Sequence, residues 1–307
     1  MKERLLHLLI VGLARTPLPL IRVGGILAGW LLWRLPNRER QAAEINLRLC
    51  FPELPAQKRR RLLRASLRHT ATTVLEMPAV WQGETASWLA RLEDTGVAEA
   101  IEALKARGRG VIVAMPHLGN FELSAHFFAR LGPATGLYRP PRQKSLEPLM
   151  VAGRSRPGHN RMVATDRKGV RALYQALARG EIVVILPDQV PASRRGGAGV
   201  FAPFFGVPAL TMTLVSRLAR RSGAPVYFIA FVRQKGHAPY RVIGREGGPA
   251  IADQNLERAC AALNAGVEAL VRQVPEQYQW TYRRFREQPD GSNPYRMSQE
   301  KEAEAPS

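Results

Sequence analysis

Acidic residues are scarce in this chain. Twenty-five Asp and Glu stand against 45 Lys and Arg, a formal net charge of +20. That balance points to an anionic partner: nucleic acid, anionic lipid, a lipid phosphate or an acidic carrier protein. Cysteine is nearly absent. Cys50 and Cys260 lie far apart, each in an apolar helical pattern, and read as buried thiols rather than a disulfide or a metal site. The six histidines are scattered with no Cys/His cluster, so neither a metal nor another cofactor is expected. There is no internal repeat and no G-x-S-x-G elbow of the kind that serves an acyl-serine intermediate. No uncharged run reaches the roughly 18 residues of a clean membrane span.

What is present is an ordinary core-forming chain, 46% hydrophobic over 307 residues. Residues 1–35 form an apolar segment interrupted by Arg15, Arg22 and Arg34, with Pro17 and Pro19 breaking its first helix. Trp30 and Trp33 suit a headgroup boundary. This segment is expected to attach the protein to a membrane, lying in the interface or tilted with its arginines snorkelling. Residues 36–92 carry no strand pattern and form a helical lead-in, whose basic run Lys58-Arg59-Arg60-Arg61 opens a helix to about Glu76. That run reads equally as a solvated face or as a partner of anionic headgroups.

From residue 93 the rhythm alternates helix and strand, and the expected class is α/β: a mixed central sheet flanked by helices over residues 93–287. Strands are predicted at 111–115, 135–138, 182–186, 226–231 and 240–243, and helices at 97–106, 121–130, 146–156, 166–179 and 256–274. The aromatic stretch 201–211 is predicted to run into a helix with Pro208 near its start. It is read either as a core plug or as a wall for an acyl chain. The basic loop 191–199, with Arg194 and Arg195, is placed to close on an anionic substrate or to be an ordinary surface loop. Residues 288–307 are polar and expected to be a disordered tail.

The segment that organises the rest is Met115-Pro116-His117-Leu118-Gly119-Asn120-Phe121-Glu122. A β-branched strand ends at Pro116, and a turn built on Gly119 and Asn120 leads to a helix. In open α/β sheets, sites lie outside the carboxyl ends of strands. The five-residue step from His117 to Glu122 is expected to bring imidazole and carboxylate together, so that the acid fixes the ring tautomer and the other nitrogen takes a proton from a hydroxyl. The bland alternative is a histidine capping a helix beside a solvated glutamate. Asp188 and Gln189 end a second apolar strand, where a plain turn is the competing reading.

These residues resemble a known family. His117 to Glu122 matches the H-x4-D/E motif of glycerolipid-type acyltransferases, and His-Leu-Gly-Asn-Phe-Glu is similar to that of the lipid A late acyltransferases, which more often have Trp at the position of Phe121. Further similarity lies in Asn46-Leu47 with Phe51-Pro52-Glu53-Leu54, in Tyr138-Arg139-Pro140, in Asp188-Gln189, in Phe204-Phe205-Gly206 with Pro208-Ala209 and Thr211, and in Pro275-Glu276-Gln277-Tyr278 with Trp280. The resemblance spans about residues 40–286. It implies acyl transfer from acyl carrier protein to a hydroxyl of a lipid A precursor of the Kdo2-lipid IVA type, at the cytoplasmic face of the bacterial inner membrane. His117 would be the base and Glu122 its orienting acid. Arg154 would contact a phosphate, Asp188 and Gln189 would be further site residues, and turn amides near Gly119, Asn120 and Phe121 would stabilise the oxyanion. Other acceptors, such as an ornithine-type lipid, share the H-x4-E core. A nucleic-acid-binding module fits poorly, because the arginines are dispersed rather than gathered into one aromatic-interleaved strip.

Overall fold

The computed structural model describes residues 2–141, 143–191 and 199–296. Helices α1 (Lys2–Arg15), α2 (Leu18–Arg34), α3 (Arg38–Cys50), α4 (Ala56–Gln82) and α5 (Thr85–Leu89) precede the sheet. Strand β1 (Leu92–Asp94) opens the α/β part, followed by α6 (Val97–Lys105), β2 (Val111–Ala114), α7 (Ser124–Ala129), β3 (Ala134–Tyr138), α8 (Glu147–Ser155), β4 (Arg161–Ala164), α9 (Arg167–Ala178) and β5 (Ile182–Ile185). A hairpin of β6 (Gly199–Phe204) and β7 (Val207–Met212) leads into α10 (Leu214–Ser222), then β8 (Val226–Arg233), β9 (Tyr240–Glu246) and α11 (Leu256–Val271).

Seven strands form one sheet in the order β1-β9-β8-β2-β5-β3-β4. All neighbours are parallel except β8 and β9. The central strands are β-branched and buried on both sides, as a sheet covered by helices requires. Their period-two alternation divides the core into two layers. Ile112, Ala114, Val183, Ile185 and Phe228 face one layer, shared with Leu173, Leu218, Leu263 and Val267 of α9, α10 and α11. Val111, Val113, Met115, Val184 and Ile229 face the other, with Ile101 and Leu104 of α6 and Phe127 and Phe128 of α7. Burying each such side chain contributes about 1.5–3 kcal/mol.

At the N-terminus, α2 lies along α4. Gly25 and Gly29 allow the close approach: a Cβ on Gly25 would stand 2.2 Å from Thr72 Oγ1, and one on Gly29 2.4 Å from the Arg68 Cα. The outward side of α2 is apolar and exposed at Leu20, Val23, Ile26, Leu27, Trp30 and Leu31. At its end, Trp33 is faced by the guanidinium groups of Arg64, Arg34 and Arg60, at 3.8, 5.5 and 5.7 Å from the ring centre. Among the described residues no single helix is long and apolar enough to cross a membrane. The pair α2 and α3, bent by 80°, reaches that length and composition together.

Two expectations change. Residues 201–211 form the β6–β7 hairpin rather than a helix entry, with Pro203 opposite Pro208. Prolines are tolerated there because the hairpin is a two-stranded ribbon, so each strand has an edge needing no donor. Phe204 and Phe205 are core plugs packed edge-on to each other, and Phe205 also to Phe51 and Trp280. The tail is ordered as far as residue 296: Tyr295 is buried, and its hydroxyl donates to Asn46 Oδ1 and accepts from the Phe285 amide at 3.0 Å. Residues 297–307 and the basic pair Arg194 and Arg195 fall outside the described residues. Both cysteines are buried free thiols, their pKa values pushed up by burial.

Candidate active site

Strands β2 and β5 are parallel neighbours, with Ala114 paired to Ile185. Each strand then runs through an apolar residue and a proline, Met115-Pro116 and Leu186-Pro187, so His117 and Asp188 emerge side by side. Asp188 Oδ1 lies 2.7 Å from His117 Nδ1, and its Oδ2 accepts the His117 backbone N–H at 2.8 Å. Burial alone would raise the Asp188 pKa. The His117 ring and the hydrogen bonds from its Nδ1 and from the His117 backbone N–H outweigh that and hold the carboxyl below the ordinary carboxylate range. A buried carboxylate on Nδ1 sets the tautomer with its proton there, leaving Nε2 as the acceptor. Gln189 Nε2 stands 3.1 Å from that atom.

Glu122 is therefore not the acid that holds the imidazole. It lies on the short 3-10 turn Phe121–Leu123 rather than on a regular helix, and its carboxylate is turned towards α4 and α8. Arg154 donates to it through Nε and Nη2 at 2.8 and 2.6 Å, and Trp81 Nε1 at 2.8 Å. Burial pushes the Glu122 pKa up, but the Arg154 charge and these donors bring it below the ordinary value. Gly153, next to Arg154, lets α8 approach α4 closely; a Cβ there would stand 2.4 Å from the Trp81 Cβ. Arg154 thus uses two of its nitrogens within the protein, and a fork–fork pair is the geometry a guanidinium favours.

Two amides of the turn between His117 and Glu122 are committed to other backbone. Gly119 has φ of +67°, and a Cβ there would stand 2.0 Å from the Phe231 carbonyl oxygen, so only glycine fits. Its amide donates to the Gln277 carbonyl at 3.0 Å and the Asn120 amide to the Phe231 carbonyl at 2.8 Å. Those two amides have partners, so the expected oxyanion donors at Gly119 and Asn120 are not available. Asn120 is fully buried and donates to Glu76 Oε2 at 2.9 Å. Neither residue lines the large cavity onto which His117 opens; both hold the turn.

His117, Glu122, Arg154 and Gln189 all open onto one cavity of about 640 Å³. Its wall is apolar, with Met115, Phe128, Met150, Met162, Val184 and Leu186 among the lining residues, and Arg139, Arg161 and Arg217 also border it. That size and character suit a single apolar ligand held by a few polar groups. Among the described residues no three His, Cys, Asp or Glu are grouped to hold a metal ion.

Sequence reasoning missed Trp81, Glu76 and Arg233, which meet the turn from α4 and β8. It underrated Asp188, although the repeated pattern of apolar residue, proline and polar residue at 115–117 and 186–188 was visible.

Comparison with known proteins matches residues 5–287 to the family of bacterial lipid A biosynthesis acyltransferases. The chain is 31% identical over 280 residues to a lipid A biosynthesis lauroyltransferase of Escherichia coli (strain K12), an alignment covering 90% of this chain and 89% of the relative. It is 29% identical over 286 residues to a lipid A biosynthesis palmitoleoyltransferase of the same organism, covering 91% and 89%. A lipid A biosynthesis acyltransferase of Haemophilus influenzae is 30% identical over 284 residues, with 91% and 88% covered.

Proposed function

The chain belongs to the bacterial lipid A biosynthesis acyltransferase family, and from that premise we propose that it moves a fatty acyl chain from acyl carrier protein to a hydroxyl of a lipid A precursor of the Kdo2-lipid IVA type. His117 is the general base. Its Nε2 takes the proton of the acceptor hydroxyl as that oxygen attacks the thioester carbonyl. The tetrahedral oxyanion collapses, the carbon–sulfur bond breaks, and the leaving thiolate takes the proton back from Nε2. Asp188 keeps Nδ1 protonated and stabilises the transient imidazolium. The Gln189 amide, beside Nε2, is the side-chain donor best placed for the oxyanion.

The acyl chain occupies the apolar cavity. Glu122 fixes Arg154 at its wall, and Arg154, Arg139, Arg161 and Arg217 receive phosphate groups of the acceptor or the carrier's prosthetic arm. Residues 1–35 seat the protein on the cytoplasmic face of the inner membrane, the exposed apolar side of α2 entering the lipid and the arginines around Trp33 meeting headgroups. The observation that carries this reading is a histidine whose ring is oriented by a buried carboxylate and which opens onto an arginine-bordered apolar cavity.

The test is transfer by the purified full chain from acyl carrier protein to a Kdo2-lipid IVA acceptor, read by mass spectrometry. One added acyl chain is expected with the native protein and none with His117→Ala. Near-normal transfer by folded His117→Ala would remove the base assignment. No transfer by the native protein to this acceptor would remove the lipid A reading.

A further inference from the structure

Glu76 is completely buried in α4 and belongs to no step of the chemistry. A carboxylate in such a place must be paired. Here it joins three separate parts of the molecule. Its Oε2 accepts from Asn120 Nδ2 at 2.9 Å, on the turn that carries His117. The same carboxylate accepts from Arg233, at the end of β8, through Nε at 3.1 Å and through Nη2. Its Oε1 lies 3.6 Å from Arg22 Nε, on α2, whose outward side is apolar and exposed.

The contacts around it continue the connection. Arg233 Nη2 donates to Thr73 Oγ1 at 2.8 Å, and that hydroxyl donates to the Gly119 carbonyl at 2.9 Å. The Arg233 amide donates to Gln277 Oε1 at 2.7 Å, while the Gln277 carbonyl accepts the Gly119 amide. Arg22 is anchored further by Nη2 to the Pro239 carbonyl at 3.2 Å, and its guanidinium lies 5.2 Å from the Tyr240 ring centre. The polar connection from α2 to the backbone that follows His117 thus runs from the 3.6 Å ion pair of Arg22 with Glu76 into short, mostly buried hydrogen bonds, and such contacts are costly to leave unmade.

We propose that Arg22, Glu76 and Asn120 form a relay by which the seating of α2 on α4 sets the position of the His117 turn, with Glu76 as its central positioning residue. The inference rests on the reading of His117 as the base. When α2 is fully seated, Arg22 completes the charge set around Glu76, and Asn120 is held where the turn places Nε2 at the cavity. When α2 lifts, Glu76 loses one cation, and its hold on Arg233 and Asn120 is redistributed. The energetic coupling runs in both directions, as any coupling between two sites must.

Hydrogen exchange of the full-length chain, alongside steady-state kinetics, tests this. In Arg22→Ala, amides of residues 117–123 are expected to exchange at least about fivefold faster while those of residues 182–185 stay protected, a local opening rather than global unfolding. In the same variant kcat falls and KM for both substrates stays within about twofold, because positioning is lost while binding is kept. If residues 18–34 loosen but the turn exchanges as in the native protein, the relay is overturned. Should Arg22→Ala unfold, Asn120→Ser probes from the other end. Faster exchange in α2 then supports the relay, and unchanged exchange there refutes it. The exchange measurement needs no turnover, so a failure of the lipid A reading, seen as an inactive native protein, is separable from a failure of the relay.

Discussion

In the proposed chemistry, His117 and its acid are the smallest unit. Asp188→Asn preserves the shape of the contact but not the charge that keeps Nδ1 protonated. A fall in kcat of about 10²- to 10⁴-fold is expected, with little change in KM. Glu122→Gln should act differently. It leaves Arg154 beside a neutral amide, and the partly exposed guanidinium limits the cost to about 2 kcal/mol of stability, measured by denaturant unfolding. Its kinetic effect should fall mainly on KM, since Glu122 positions a binding residue and does not touch the ring. The sequence made His117 legible because a histidine after a buried strand is conspicuous. It could not show which acid meets the ring. Nearness along the chain favoured Glu122, whereas the parallel pairing of β2 with β5 brings up Asp188 from residues far away in sequence.

At the scale of elements, the strongly β-branched strands and most amphipathic helices were readable with ends that agree within a few residues, but α4 runs through Pro78 to Gln82, beyond the expected end at about Glu76. Strands β1 and β4 escaped because three or four residues carry too little periodicity, and both lie at the sheet's edges where partial exposure blurs the pattern. The β6–β7 hairpin escaped because Pro208 reads as a helix start, whereas proline is also tolerated in a strand with a free edge. The fit of α2 on α4 was equally hidden, since close approach at Gly25 and Gly29 depends on a partner the periodicity does not name. Gly29→Leu should push α2 off α4, lower the melting temperature and expose residues 18–34 to limited proteolysis, while the sheet remains intact by circular dichroism.

For the whole molecule, composition gave the sign of the partner and little else; a net charge of +20 suits several anions. The structure adds how stability depends on pH. Burial drops the His69 pKa from 6.5 to about 3, and burial also lowers that of His126. Between those values the unfolded chain binds protons that the folded chain refuses, so stability is present above about pH 6.5 and is lost as pH falls towards 3. Asp188 and Glu122, held below their ordinary values, add to the loss in the same direction at lower pH. The melting temperature should therefore fall steadily from pH 6.5 to 5, and His69→Gln should flatten that slope. An unchanged slope would mean that His69 is protonated in the folded protein.

One carboxylate grips both the main chain and the ring of His117. This has a consequence for chemical labelling. An electrophile delivered in an apolar carrier to the cavity would find Nδ1 shielded by its acid and Nε2 facing the incoming carbon. Alkylation should give a single regioisomer of the modified histidine, identifiable by fragment spectra. A covalent inhibitor for this pocket would be built around that one nitrogen, with its warhead at the polar end of a fatty tail.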